Sequence, residues 1–207
     1  MQGALDVIRK NRGVQQADML QLHAKEVAEL ESKGENIAQI GGGPGRGVYQ
    51  YEMFDEGGSG AAKDALVRYK RFYESYGAEM PKEYANELKN IDEDNPDFTQ
   101  LSPEFQTDIF YADKEQKGGF PLDKLGTPEF SHKDAWLKSH WAGSTKDLPA
   151  KSNYYDATIN NMMNNEQEKN DDKLYNEIKQ EISQEIGTKF SINNVMEDLG
   201  QVFETFE

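Results

Sequence analysis

The chain contains no cysteine, so neither a disulfide framework nor a thiolate metal site is available to it. Histidine is nearly as scarce. His23, His132 and His140 show no ligand spacing, so the sequence offers no reason to expect a metal centre. No apolar run approaches the length of about 18 residues that a membrane helix needs, and no membrane span is expected. The opening "MQGALDVIRKNRG" also lacks the apolar stretch of a usual export signal. Basic residues are outnumbered, 23 against 38 acids, giving a formal net charge of −15 over 207 residues. That excess opposes binding to a phosphate backbone, so no nucleic acid partner is expected.

Aromatic residues are plentiful. Ten tyrosines, ten phenylalanines and two tryptophans can each bury a large area. They predict one modest core rich in rings, with the acidic excess spread over surfaces and tail. The chain length fits one ordinary domain with an appendage.

The pattern is mainly helical. Leu20, Ala24, Val27 and Glu31 recur at helical spacing and predict a first helix over 15–31, with Gly34 as its stop. Residues 37–53 alternate weakly between turn formers and predict a small hairpin or a pair of short strands. Ser59 is placed to cap a helix through Tyr76, with Ala62, Leu66, Tyr69 and Tyr73 inward and Gly77 ending it. Pro81 suits the first turn of "PKEYANELKN". Ser102 and Pro103 open a further helix with Phe105 and Ile109 on one face. Ser131 and Asp134 have capping-box spacing ahead of the expected core residues Trp136, Leu137 and Trp141.

Composition then changes. Residues 1–145 are read as the folded domain, 146–170 as a polar linker, and 171–207 as a helical attachment segment. In the last segment Ile192, Val195, Leu199, Val202 and Phe206 form a two-heptad apolar seam. It either folds back on the domain or docks on another chain.

The glycine-rich stretch 41–47 is not a phosphate loop. No Lys follows Gly45 or Gly47, and the sixth residue counted from Gly41 or Gly43 is Arg46 or Val48 instead of glycine. The order is also inverted, because here a helix precedes the loop and a strand follows it. Glu31 draws attention for a different reason. The helical stripe turns its carboxylate toward the apolar side, whereas Glu26 and Glu29 point elsewhere, toward solvent. A carboxyl group at the margin of a core has a raised pKa, as a general acid requires. Should the helix fray after Leu30, Glu31 is instead a solvated residue.

"ESKG" followed by "GRGVYQYE" resembles the lysozyme-like fold of lytic transglycosylases and goose-type lysozymes. There a helix ends in Glu-Ser, and a glycine-containing turn leads into Gly-Leu-Met-Gln or a close variant. The matching positions are Glu31 and Ser32, then Gly47, Val48, Tyr49 and Gln50. The likeness covers 15–65. It departs from the family between the motifs, where Ala38-Gln39-Ile40-Gly41-Gly42-Gly43 stands for an Ala-x-Ser-x-x-Gly-Ala-x-Gly run. "PEFQTDIFYADK" and "WLKSHWAG" resemble segments of phage-encoded members.

The resemblance implies a lysozyme-like helical domain with a β-hairpin beside the catalytic helix. It implies cleavage of the β-1,4 bond between N-acetylmuramic acid and N-acetylglucosamine in peptidoglycan strands, without a cofactor. Glu31 would be the acid, and Ser32, Tyr49, Gln50, Glu52 and Tyr155 would contact substrate. The strand Val48–Tyr51 would wall the cleft, and Tyr154 is the other match to the family's late tyrosine. Glu52 and Asp55 are candidates for a second carboxylate, each with a plain alternative as a solvated turn residue. The setting implied is a phage virion, made in the host cytoplasm and acting on the periplasmic wall, with other virion proteins met through the C-terminal helix. A structural virion protein that keeps the fold without activity, and an acidic adaptor with no sugar site, are the competing readings.

Overall fold

A computed structural model describes residues 3–54, 57–140 and 147–189. The protein is mainly helical, with one small antiparallel sheet among the described residues. It divides into two compact units, 1–159 and 160–207.

The first unit is built around three helices: α2 (Val14–Ser32), α3 (Ala61–Tyr76) and α5 (Pro103–Gln116). The α3 stripe predicted from spacing is buried in full, and Ala65 and Phe72 join it. Facing it, α5 buries Phe105, Ile109, Phe110 and Ala112. Each large side chain removed from water in this way contributes about 1.5–3 kcal/mol. Helix α4 (Lys82–Leu88) starts after Pro81, which occupies the cap position and not the first turn.

Local signals held at several ends. Ser102 accepts from the Phe105 amide, and Ser131 accepts from the Asp134 amide at the start of α6 (His132–Ser139). At the end of α2 the left-handed residue is Lys33, and the Gly34 amide reaches back to Ala28 O at 3.0 Å. The residue capping α3 is Gly60 in the left-handed conformation, not Ser59.

A helix precedes the one expected to be first. α1 (Ala4–Arg12) buries Ala4, Val7 and Ile8 against α2 and α5. Its first free amide, on Ala4, is satisfied by Asp108 Oδ1 at 2.6 Å, a side chain from α5. The hydroxyls of Tyr69 and Tyr73 donate to Asp108 Oδ2 at 3.1 and 2.7 Å. One buried carboxylate therefore joins α1, α3 and α5, and every oxygen contact it makes is with a donor.

The hairpin consists of β1 (Gly45–Arg46) and β2 (Tyr51–Glu52), with Gly45 opposite Glu52 and Arg46 opposite Tyr51. Val48, Tyr49 and Gln50 thus form the turn and not a strand. Gly47 has a φ of 77°, and any Cβ there would overlap the Gln106 side chain of α5. Gln106 uses that closeness: its Oε1 accepts from the Val48 amide at 2.7 Å. The glycine serves a tight turn and the close approach of a helix.

The expected linker is also corrected. Residues 148–170 belong to one continuous helix, α7 (Leu148–Lys189). Within the first unit, Tyr155 and Ile159 of this helix are buried, so the folded domain does not end at 145. Leu137 is half-buried, and Trp141 lies outside the described residues. The seam from Ile192 to Phe206 lies outside them too. No helix among the described residues is long and apolar enough to cross a membrane.

Candidate functional site

Helix α2 carries Leu20, Ala24 and Val27 into the core at 0–2% exposure and brings Glu31 to the edge of a cleft. The cleft has a volume of about 590 Å³, within the ordinary range for ligand sites. Its lining includes Glu31, Gln50, Glu52, His140 and five cations: Arg68, Lys114, Lys117, Lys138 and Lys151. In a chain of net charge −15 this is a local reversal of sign.

The Glu31 side chain is 20% exposed. Burial raises its pKa above the ordinary value, while the hydrogen bond from Trp136 and the charges of Lys151 and Lys114 act in the opposite direction. The indole Nε1 of Trp136 donates to Glu31 Oε1 at 2.7 Å. Trp136 is itself 1% exposed, so the donor is fixed by packing.

His140 lies 3.9 Å from the same oxygen through Nε2. That nitrogen sits 2.9 Å from Tyr49 O, a carbonyl that can only accept, so Nε2 carries the hydrogen. Nδ1 faces the Lys114 ammonium at 3.4 Å and therefore accepts. Burial, together with Lys114, holds the His140 pKa well below its ordinary value. The ring is neutral at physiological pH and does not act as a counter-charge to Glu31.

Lys114 is 1% exposed, and burial brings its pKa down to about 8 against the upward pull of Asp113. Asp113 is buried as well. Desolvation would raise it, but Lys114 and Arg68 prevail and hold it below the usual carboxylate range. It accepts from the Tyr51 hydroxyl at 2.9 Å and from Arg68 Nε at 2.5 Å. This network anchors β2 to α3 and α5 along the cleft wall, which Tyr51, Arg68 and Lys114 help to line.

The residues expected at the site separate into two groups. Glu31, Gln50 and Glu52 line the cleft together. The Gln50 amide is turned inward, however, and its Nε2 donates to Ile37 O at 2.9 Å and Gly47 O at 2.7 Å. Glu52 Oε2 accepts from the Ser59 amide at 2.9 Å. Asp55 lies outside the described residues.

Ser32, Tyr49 and Tyr155 are not in the lining. Ser32 is buried, and its hydroxyl donates to Val48 O at 2.7 Å, tying the helix end to the hairpin turn. Tyr49 is 3% exposed, stacks on Phe110 with centroids 4.4 Å apart, and donates to Thr107. It is a core ring and not a cleft wall. Tyr155 is buried, and its hydroxyl donates to Glu26 Oε2 at 2.6 Å. Tyr154 donates to Leu30 O at 2.8 Å, capping a terminal carbonyl of α2.

Glu26 was expected in solvent and is 7% exposed. The reason is that α2 is a central helix, buried also at Ala17, His23 and Leu30, so no single stripe describes it. The histidines lacking ligand spacing converge in part. Ligand atoms of His23, Glu26 and His132 all lie within 4.8 Å of one another. Trp136 and His140 as partners of Glu31 were also missed by sequence reasoning, because they come from a region distant along the chain. No family model, curated protein or solved structure matches the chain.

Proposed function

We propose that the protein is a peptidoglycan-cleaving enzyme, a lytic transglycosylase or lysozyme, with Glu31 as the catalytic acid. The observation that carries this reading is the state of Glu31: a carboxyl group at the end of a buried helix, facing a cleft, with its proton favoured by burial. In that role Glu31 protonates the glycosidic oxygen as the bond to the leaving sugar breaks. Trp136 fixes the carboxyl orientation through Oε1. The five cations of the cleft suit a polymer whose peptide stems carry carboxylates.

The one-acid route is the better supported of the two. Glu52 has an oxygen engaged by the Ser59 amide, which does not suit a group that must position a water. In a transglycosylase the muramyl hydroxyl attacks its own anomeric carbon, Glu31 takes that proton, and an anhydro sugar results. We place the protein in a phage virion on the sequence resemblance alone, with the host cell wall as its target. A virion component that keeps the fold without activity is the competing reading.

The test is turnover on purified peptidoglycan, wild type beside Glu31→Gln, with mass analysis of the released fragments. Gln keeps the shape and removes the transferable proton, so activity should fall on the order of 100-fold or more. Anhydro termini identify the transglycosylase route. Equal turnover in the two proteins excludes Glu31 as the acid, and no turnover in the wild type favours the inactive virion component.

A further inference from the structure

On the same helix as Glu31, and outside the cleft lining, lies a second cluster that the proposed glycan chemistry does not use. His23 and Glu26 stand three residues apart on α2 and so share a face. His132 approaches from the first turn of α6, and its Nδ1 is 3.1 Å from Glu26 Oε2. All three side chains are buried, at 0%, 7% and 9% exposure.

The anomaly is His23. Neither ring nitrogen has a hydrogen-bond partner, although the residue is fully enclosed. Its neighbours are the rings of Phe110 and Phe120, with centroids at 5.9 Å, and the edge of His132 at 5.5 Å. A buried polar group left unpaired typically costs about 1–3 kcal/mol. An apolar side chain of similar size would avoid that cost among two phenylalanines.

Two imidazoles and a carboxylate, converging in a buried space, form a donor set suited to zinc and similar first-row divalent ions. The phenol oxygen of Tyr155, 2.6 Å from Glu26 Oε2, stands beside them as a fourth donor. Gly126 closes the other side of His132: a Cβ there would fall 3.1 Å from His132 Nε2. The nitrogen that faces the cluster is Nδ1, already in contact with Glu26.

We propose that His23, Glu26 and His132 bind one divalent metal ion of the zinc class, with Tyr155 or a water completing the shell. Coordination gives the unpartnered His23 nitrogen a ligand role. At His132 the metal replaces the Nδ1 hydrogen that Glu26 accepts, and that proton moves to Nε2 or leaves to solvent. The ion joins α2 to α6 one turn before Trp136, the residue that holds Glu31. Its role is to fix the spacing of those two helices. It does not enter the glycosidic step, so the proposal stands whether or not the chain cleaves glycan.

The test uses the full chain, stripped with a chelator and dialysed, then titrated with Zn²⁺ by calorimetry and by thermal melting. One saturable site with a rise in Tm is expected. His23→Leu, which places an apolar side chain among the phenylalanines, should fold and lose at least about 100-fold in affinity. Absence of a one-to-one site in the wild type overturns the proposal, and so does retention of that site in His23→Leu, which would assign binding to surface carboxylates. Should His23→Leu fail to fold, Co²⁺ added to the wild type decides. The intense visible absorption of a four-coordinate ion supports the site, and the weak absorption of a hydrated ion refutes it.

Discussion

The Trp136 indole donates to Glu31 Oε1 at 2.7 Å, and four residues earlier on the same helix His132 meets Glu26 at 3.1 Å. Helices α2 and α6 are thus joined by two polar rungs, one at the cleft and one outside its lining. The cleft rung orients Glu31 and opposes the effect of burial on its acidity. A donor to a carboxylate stabilises the charged form, so Trp136 moderates the effect of burial on the pKa.

Trp136→Phe removes that donor while keeping an aromatic side chain in the packing. The Glu31 pKa should rise further. In the proposed role Glu31 works while protonated, so cleavage would fall as pH climbs through its pKa. The alkaline limb of the activity profile should therefore move to higher pH in Trp136→Phe, with a lower maximum rate because the carboxyl is less well aimed. A limb that moves to lower pH, or a profile that merely scales, would show that the indole does not tune Glu31.

Stability gives an independent reading of the same group. The folded pKa of Glu31 is raised above the ordinary 4.5 that the unfolded chain approaches. The folded state then binds the proton more tightly, and stability is lost as pH rises from 4.5 through the folded pKa. Glu31→Gln carries no such loss. Its Tm advantage over wild type should be absent below the unfolded pKa, grow through that window, and remain constant above it. Melting both proteins from pH 4 to pH 8 checks the sign, and an advantage that shrinks with rising pH contradicts it.

Gln50 is a third test, of the loop and not the acid. Its φ is 49°, and its amide makes two hydrogen bonds that close the turn. Gln50→Ala keeps the left-handed strain and loses both bonds, at about 1 kcal/mol each. Gln50→Gly loses the bonds but relieves the strain, which is worth about 1–2 kcal/mol. Both should melt below wild type, with Gln50→Gly the more stable of the two. The opposite order would mean that the left-handed turn is not what the residue supports.

Much of this arrangement could be read from local pattern. The stripe of α3, the Ser102 and Ser131 caps, and the delivery of Glu31 by α2 all rest on residues within a few turns of one another. What was missed rests on distant partners. α1 draws its cap from Asp108, 104 positions away. Glu26 is buried because His132 and Tyr155 cover it, 106 and 129 positions away. Tyr49 looks like a sugar-stacking ring in a glycine loop until α5 supplies Phe110 beneath it. The polar composition of 148–170 hides a helix because only a few of its side chains, Tyr155 and Ile159 among them, enter the core.

That last point defines where the domain can be cut. A chain ending at residue 145 loses Tyr154, Tyr155 and Ile159. Burial of Tyr155 and Ile159 contributes about 1.5–3 kcal/mol each. Glu26 Oε2 would lose the 2.6 Å bond from Tyr155 and keep His132 at 3.1 Å, a loss of about 1 kcal/mol more. The total is a large part of the 5–15 kcal/mol by which an ordinary domain is stable. A chain ending at 165 keeps every one of these contacts. The expected result is that the 165-residue chain is soluble and melts in one cooperative transition, whereas the 145-residue chain is insoluble or melts at least about 10 °C lower. If both truncated chains melt together, the start of α7 is not part of the core, and residues 1–145 are a domain in their own right.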